Sequence, residues 1–189
     1  MKRKINLPNK LTILRILMTP LAVFFMLWDN PVSPLFALVI FALASITDFF
    51  DGKIARSFDL VTDFGKFLDP IADKIIVISI IICMIPKGLC SPIVAVIVIF
   101  REFVVSSLRL IAASHSVVLA AGISGKVKTA SQMISVTVVL LFLSIDMFRE
   151  LPFDINLVSN ILMWITAVIS LYSGAEYLIK NKNFIDPCE

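Results

Sequence analysis

The chain has 189 residues, of which 59% are hydrophobic and only 16% charged, with a mean hydropathy of +0.97. A soluble domain carries about one-quarter charged residues, so this composition excludes an ordinary water-soluble fold and points to an integral membrane protein. The net charge of +3 is small, so its placement along the chain matters more than its size, and no nucleic-acid partner is expected.

A spanning helix needs about 20 apolar residues, and six of them use about 120, which leaves short connections and no second domain. The basic start, Met1-Lys2-Arg3-Lys4, is followed by no small-residue cleavage site and is expected to be retained. Residues 1–10, with Asn6-Leu7-Pro8-Asn9-Lys10 before Leu11, predict a short interfacial segment. Pro8 suits a first helical turn, and the leading cations suit anionic headgroups or serve only as a topology signal. Apolar segments follow at about 11–28, 34–50, 64–85, 92–113, 124–145 and 155–179. Asp29-Asn30-Pro31, Pro86-Lys87-Gly88 and Arg149-Glu150-Leu151-Pro152 punctuate them. In lipid every backbone polar group must be satisfied within the segment, so these runs predict helices. The alternating strands of a membrane barrel are missing from the pattern. The expected fold is a single all-α membrane domain, 1–189, with six transmembrane helices.

Charge placement predicts the orientation. Lys2, Arg3, Lys4, Lys10, Arg15, Lys53, Arg56, Lys66, Arg109, Lys126, Lys128, Lys180 and Lys182 fall on one side of such a bundle. The opposite connections hold Lys87 and Arg149. The positive-inside rule then puts both termini in the cytoplasm. Cys83, Cys90 and Cys188 are odd in number and lack metal-ligand spacing, so neither a disulfide framework nor a zinc site is indicated.

Between the second and third segments the chain reads Asp48-Phe-Phe-Asp51-Gly52-Lys-Ile-Ala55-Arg56, then, past Thr62, Gly65-Lys-Phe-Leu-Asp69-Pro-Ile-Ala-Asp73. A carboxylate in or beside a spanning segment is a functional candidate by default. Asp48, Asp51, Gly52 and Arg56 share one helical face, and Gly65, Asp69 and Asp73 share a face of the next helix. A short turn through Ser57–Asp63 lets the two carboxylate pairs face each other. Carboxylates that meet repel one another and need a cation. Oxygen-only donors favour Mg²⁺, Mn²⁺ or Ca²⁺ over zinc. Arg56 offers a planar fork for phosphate, and the two glycines leave room for a ligand at the backbone. The parts resemble a pyrophosphate-handling site. The plainer reading is that the aspartates cap helices or pair with Lys53, Arg56, Lys66 and Lys74. Asp59 and Asp63 fit neither face and are expected in the loop or at a cap.

The full string from Asp48 to Asp73 resembles the signature of the CDP-alcohol phosphotransferases, matching at every signature position, and the six-helix layout extends the resemblance over essentially the whole chain. The resemblance implies that a CDP-linked donor binds at the cytoplasmic face of the cell (inner) membrane through one or two Mg²⁺ or Mn²⁺ ions. An acceptor hydroxyl then attacks the β-phosphorus and CMP leaves. By position, Asp48, Asp51, Asp69 and Asp73 are implied metal ligands, with Asp73 also the implied catalytic base. Asp48, Asp51, Gly52, Ala55, Arg56, Thr62, Gly65 and Asp69 are implied donor contacts. The segment Pro8-Asn9-Lys10-Leu11-Thr12-Ile-Leu-Arg15 adds Asn9 and Thr12 to them on a shorter match. A homodimer among membrane lipids is also implied.

Basic residues outside the signature speak to the acceptor. Arg101 and Arg109 lie two turns apart on one face, and Lys126 and Lys128 open the fifth helix, whose N-terminal dipole favours an anion. A basic pocket of Arg101, Arg109, Lys126 and Lys128 predicts a phosphorylated acceptor. Positive-inside charge is the plainer reading of the two lysines, and a pair with Glu102 or another acid, such as Glu176, the plainer reading of Arg101. His115 is expected in a loop. Arg101-Glu102-Phe103, Gly125-Lys126-Val127-Lys128-Thr129 with Gln132, and Ser173-Gly174-Ala175-Glu176-Tyr177 resemble the phosphatidylglycerophosphate synthase branch of the family. This implies CDP-diacylglycerol and sn-glycerol 3-phosphate as substrates. A phosphatidylinositol-phosphate synthase, a cardiolipin synthase of the same fold and, from another class, a divalent-cation transporter are the competing readings.

Overall fold

The protein is described by a computed structural model covering residues 7–57, 63–115, 117, 119 and 122–182; within these, the side chains of 7–8, 48–57, 63–67, 69–70 and 73 lie outside the described set. Six helices follow in chain order: α1 (Leu7–Leu27), α2 (Ser33–Ser57), α3 (Asp63–Met84), α4 (Pro92–Ser114), α5 (Ile123–Asp146) and α6 (Ile155–Lys180). No strand occurs among the described residues.

Two boundaries differ from expectation for physical reasons. α1 begins at Leu7, so residues 7–10 belong to the helix, with Pro8 in its first turn where no amide hydrogen is needed. α2 runs on to Ser57 instead of ending near 50. Asp51, Lys53 and Arg56 end its apolar stretch without ending its helix, because charged residues are compatible with helical backbone where Gly and Pro runs are not. Elsewhere local capping sets the starts. Ser91 accepts a hydrogen bond from the Ile93 amide at 3.3 Å, with Pro92 next to it. Asp154 accepts from the Asn156 amide at 2.8 Å and the Leu157 amide at 3.4 Å. α5 starts after Gly122 with no side-chain cap.

Three of the described helical stretches are long and apolar enough to cross a membrane: Asn9–Leu27, Ile123–Asp146 and Ile155–Lys180. Ser33–Thr47 and Lys74–Met84 are shorter apolar stretches. α4 is of similar length but carries Arg101, Glu102 and Arg109.

α1 packs against α2 and α3, α6 against α4 and α5, and α2 against α5. All six helices feed one core, with Met26, Phe41, Ile80, Met84, Val98, Leu140 and Met163 among its buried members. Outward faces are large and apolar, as at Leu17 and Phe24, at Phe100 and Phe103, and at Trp164 and Val168. The inward face of α6 is rich in small and polar residues: Ser159, Thr166, Ser170, Ser173 and Gly174 are buried there beside Met163, Ala167 and Tyr177. This arrangement suits lipid, where small residues let helices approach and hydroxyls join them. Ser135 and Thr166 hydroxyls meet at 3.0 Å across α5 and α6.

The connection after α3 is clasped to the start of α6. Ser159 donates to the Leu89 carbonyl at 2.6 Å and Asn160 to the Gly88 carbonyl at 2.7 Å. Gly88 sits at φ +72°, a left-handed conformation that favours glycine. Cys83 and Cys90 are free and buried, and burial pushes the Cys90 thiol up to about 11; Cys188 lies outside the described residues. Contacts of α4 with α6 climb in parallel, from Arg101–Ser173 to Arg109–Tyr177. The far ends of α4 and α6 therefore lie at one end of the bundle, opposite the clasp.

Candidate active site

Two helix ends carry the aspartates. Because α2 is unbroken to Ser57, Asp48, Asp51, Gly52, Ala55 and Arg56 fall within an arc of about 140° at 100° per residue. α3 opens at Asp63, so Gly65, Asp69 and Asp73 fall within about 80° of arc. Thr62 and Asp59 lie outside the described residues, and Asp63 is the first residue of α3. Among the described residues no three His, Cys, Asp or Glu side chains meet at one point, and the side chains of the four aspartates are not in that set. The register still fits a hard cation: four carboxylates on consecutive helix ends supply only oxygen donors.

α1 brings a polar face to the same level. Asn9, Thr12 and Arg15 are buried, and each interacts within the protein. Phe25 and Phe36 stack at 5.0 Å across the α1–α2 hairpin and set its register. Equal steps back along both helices bring Asn9 to the level of Gly52 and Thr12 to within one residue of Asp48.

The basic residues divide into two groups. Arg101 and Lys128 converge on Glu102, which lies buried at the middle of α4. Glu102 Oε1 accepts from Arg101 Nη1 at 3.1 Å and from Lys128 Nζ, while Oε2 lies 3.6 Å from Lys74 Nζ. Lys74, one residue beyond Asp73 on α3, also donates to the Ser106 hydroxyl. It therefore has partners other than the aspartates. Arg101 Nη2 donates to Ser173 Oγ at 2.8 Å on α6. Gly174 makes the close packing possible: a Cβ there would lie 2.9 Å from Arg101 Cγ, whereas one on Gly125 would lie in ordinary contact, 3.8 Å from Arg101 Nη2.

Arg109 stands apart, about 12 Å along α4 by helical rise. Its Nε donates to the Tyr177 hydroxyl at 3.1 Å, and its guanidinium lies 5.3 Å from the Tyr177 ring centre. Both arginines do face α6, as their spacing predicts. Lys126 is exposed on α5, whereas Lys128 is almost wholly buried, so only Lys126 fits the reading as surface charge. Glu176 is not the partner of Arg101; it pairs with Lys180 one turn along α6. His115 caps the end of α4 and is exposed.

The pairing of Arg101 with Glu102 is the plainer reading of that arginine and is present in the structure, whereas the sequence predicts no contact of Lys74 with Glu102 or of Ser173 with Arg101. An acid directly after Arg101 in an apolar run was the available signal. It could not reveal that cations from α3 and α5 share the same carboxylate.

Residues 5–172 match the family model described as CDP-alcohol phosphatidyltransferase. This chain belongs to that family. Among its relatives, the CDP-diacylglycerol--glycerol-3-phosphate 3-phosphatidyltransferase of Bacillus subtilis (strain 168) is 38% identical, covering 93% of this chain and 95% of its own. The protein of the same name from Rickettsia bellii is 38% identical over 97% of this chain and 99% of its own. That from Haemophilus influenzae is 31% identical over 93% and 92%. Membership agrees with the aspartate register, the all-helical bundle and the apolar outward faces.

Proposed function

We propose that this protein transfers the phosphatidyl group of CDP-diacylglycerol to sn-glycerol 3-phosphate, giving phosphatidylglycerol phosphate and CMP. The observation that carries this reading is the adjacency of the two site halves on α3. Asp73 closes the aspartate register, and Lys74, the next residue, joins a cluster with three cations around one carboxylate. A phosphorylated acceptor needs the second half; any CDP-alcohol transfer needs the first. Relatives of that name, matched along almost their full length, support the same choice.

Asp48, Asp51, Asp69 and Asp73 are the residues to hold Mg²⁺ or Mn²⁺, which when bound neutralises pyrophosphate charge and the departing CMP. Gly52, Ala55, Arg56, Thr62 and Gly65 are assigned to the CDP moiety, with Asn9 and Thr12 closing it from α1. Arg101, Lys128 and Lys74 hold the acceptor phosphate. Asp73 takes the proton from the acceptor hydroxyl as that oxygen bonds to the β-phosphorus and the bond to the bridging oxygen of CMP breaks. Arg109 and Lys126 lie outside the cluster and serve as outlying cations that draw the anion in. All six helices cross the bilayer with both termini in the cytoplasm. The concentration of Lys and Arg at one end of the bundle supports this orientation.

The test is CMP release by purified protein in detergent with CDP-diacylglycerol, with and without Mg²⁺, against a panel of glycerol 3-phosphate, inositol phosphate, phosphatidylglycerol and no acceptor. Release that requires both metal and glycerol 3-phosphate is the expected result. Release with a different acceptor would move the substrate, and cation flux without release would replace the enzyme reading with a transporter.

A further inference from the structure

Glu102 is an acid where the proposed chemistry calls for cations. A buried carboxylate is costly unless paired, and Glu102 is paired three times over, with Lys74 from α3, Arg101 from α4 and Lys128 from α5. One anion needs one cation. Among the described residues the cluster therefore holds two positive charges beyond neutrality, which matches in magnitude the charge of a phosphomonoester above its second pKa of about 6.

The exposure of the cluster is graded. The Lys128 side chain is 4% exposed, Arg101 10% and Lys74 35%. It is thus closed toward α5 and opens toward α3, where Asp73 precedes Lys74. Donor capacity is left over as well. Arg101 directs Nη1 to Glu102 and Nη2 to Ser173, yet its buried Nε has no hydrogen-bond partner among the described residues. Three cations brought this close without an anion would repel one another and separate. The carboxylate is what keeps them together before a ligand arrives.

We propose that Glu102 is a positioning residue for the acceptor, gathering Lys74, Arg101 and Lys128 into one preorganised wall that receives a phosphomonoester dianion. This rests on the reading of the acceptor as glycerol 3-phosphate. Glu102 does not touch the reacting atoms; it acts through the three cations. The rival role is purely structural, a carboxylate that pins three helices together and does nothing for the ligand.

The two roles separate in binding and in the division between KM and kcat. Glycerol 3-phosphate binding is measured by calorimetry on detergent-purified wild type, Glu102→Gln and Glu102→Asp, alongside CMP release. Glu102→Gln is expected to weaken binding about tenfold or more and to raise the acceptor KM in step. The KM for CDP-diacylglycerol and kcat at saturating acceptor should stay within about threefold. Glu102→Asp, which keeps the charge on a shorter stem, should recover part of the loss. Unchanged or tighter binding by Glu102→Gln would overturn the proposal. Where Glu102→Gln does not survive purification, Glu102→Asp and Ser173→Ala decide: both should weaken binding by about three- to tenfold, and wild-type affinity in both overturns it.

Failure of the proposed reaction looks different. A wild type that binds glycerol 3-phosphate without releasing CMP sinks the reaction and leaves the role of Glu102 to the variants. A wild type that turns over with Glu102→Gln unaffected sinks the role and leaves the reaction. A wild type that does not bind glycerol 3-phosphate sinks both.

Discussion

The clasp and the cation cluster are two of the polar regions in this apolar bundle, and they are built on opposite principles. At the clasp, Ser159 and Asn160 of α6 each donate to one carbonyl of the connection after α3, and Asp154 caps its own helix. The groups that join the helices there are neutral, a hydroxyl and an amide each donating to a carbonyl. In the cluster of α3, α4 and α5, three cations share one carboxylate among the described residues, and a buried arginine nitrogen has no hydrogen-bond partner among them. Both regions are polar in a medium that penalises polarity. Among the described residues only the cluster carries an excess of cations, which an anionic ligand is proposed to complete. Excess charge, more than polarity, distinguishes the proposed ligand site from the structural joint in this protein.

That contrast can be broken by substitution. Asp73→Asn and Asp69→Asn should have the largest effect, lowering phosphatidyl transfer by about a thousandfold or more while leaving the elution volume in detergent unchanged, because a carboxylate that moves a proton or holds a metal has no amide substitute. Substantial activity in either variant would remove the α2–α3 register from the chemistry. Lys128→Met should come next, raising the acceptor KM by about thirtyfold, since it strips a buried cation from the cluster and cuts its excess positive charge from two to one.

Gly174→Ala probes the same cluster without changing a charge. Its Cβ would lie 2.9 Å from Arg101 Cγ. The arginine stem must shift, and the acceptor KM should rise by about three- to tenfold, with the donor KM unchanged. Arg109→Ala should change the acceptor KM by no more than about threefold, because an exposed arginine contributes little. A larger effect from Arg109 than from Lys128 would reverse the assignment of the two groups. Ser159→Ala should leave all kinetic constants unchanged. It deprives the Leu89 carbonyl of its buried donor and should destabilise the protein by about 1–3 kcal/mol, read as a lower Tm in detergent. A shift in acceptor KM from this variant would erase the distinction between the two regions.

How far the sequence reached follows from the same physics. The aspartate register was legible because its information lies along single helices. Spacings of three and four residues fix a shared face whatever the neighbours do, and α2 and α3 are indeed helical across Asp48–Arg56 and Gly65–Asp73. The six apolar runs were legible for the same reason, with ends displaced by a few residues where helix outlasts hydrophobicity, as at Ser57. The pairing of cations was not. Lys74, Glu102 and Lys128 are separated by 28 and 26 residues, and nothing in spacing alone says that α3, α4 and α5 bring them together. Arg101 and Arg109 share a face, as their spacing requires, yet belong to different environments because one turn of α6 offers Ser173 and the next offers Tyr177. Glu176 was a plausible partner by composition and is engaged locally by Lys180.

The central claim is that the aspartate register and the cation cluster serve one transfer between a CDP-linked lipid and a phosphorylated alcohol. The most direct measurement follows radiolabelled glycerol 3-phosphate into chloroform-extractable lipid, with purified wild type and with Asp73→Asn, in the presence of CDP-diacylglycerol and Mg²⁺. The account predicts label in phosphatidylglycerol phosphate, matched by released CMP, for wild type only and only when donor and metal are both present. Label carried into lipid by Asp73→Asn, or an active wild type that leaves glycerol 3-phosphate wholly in the aqueous phase, would contradict it.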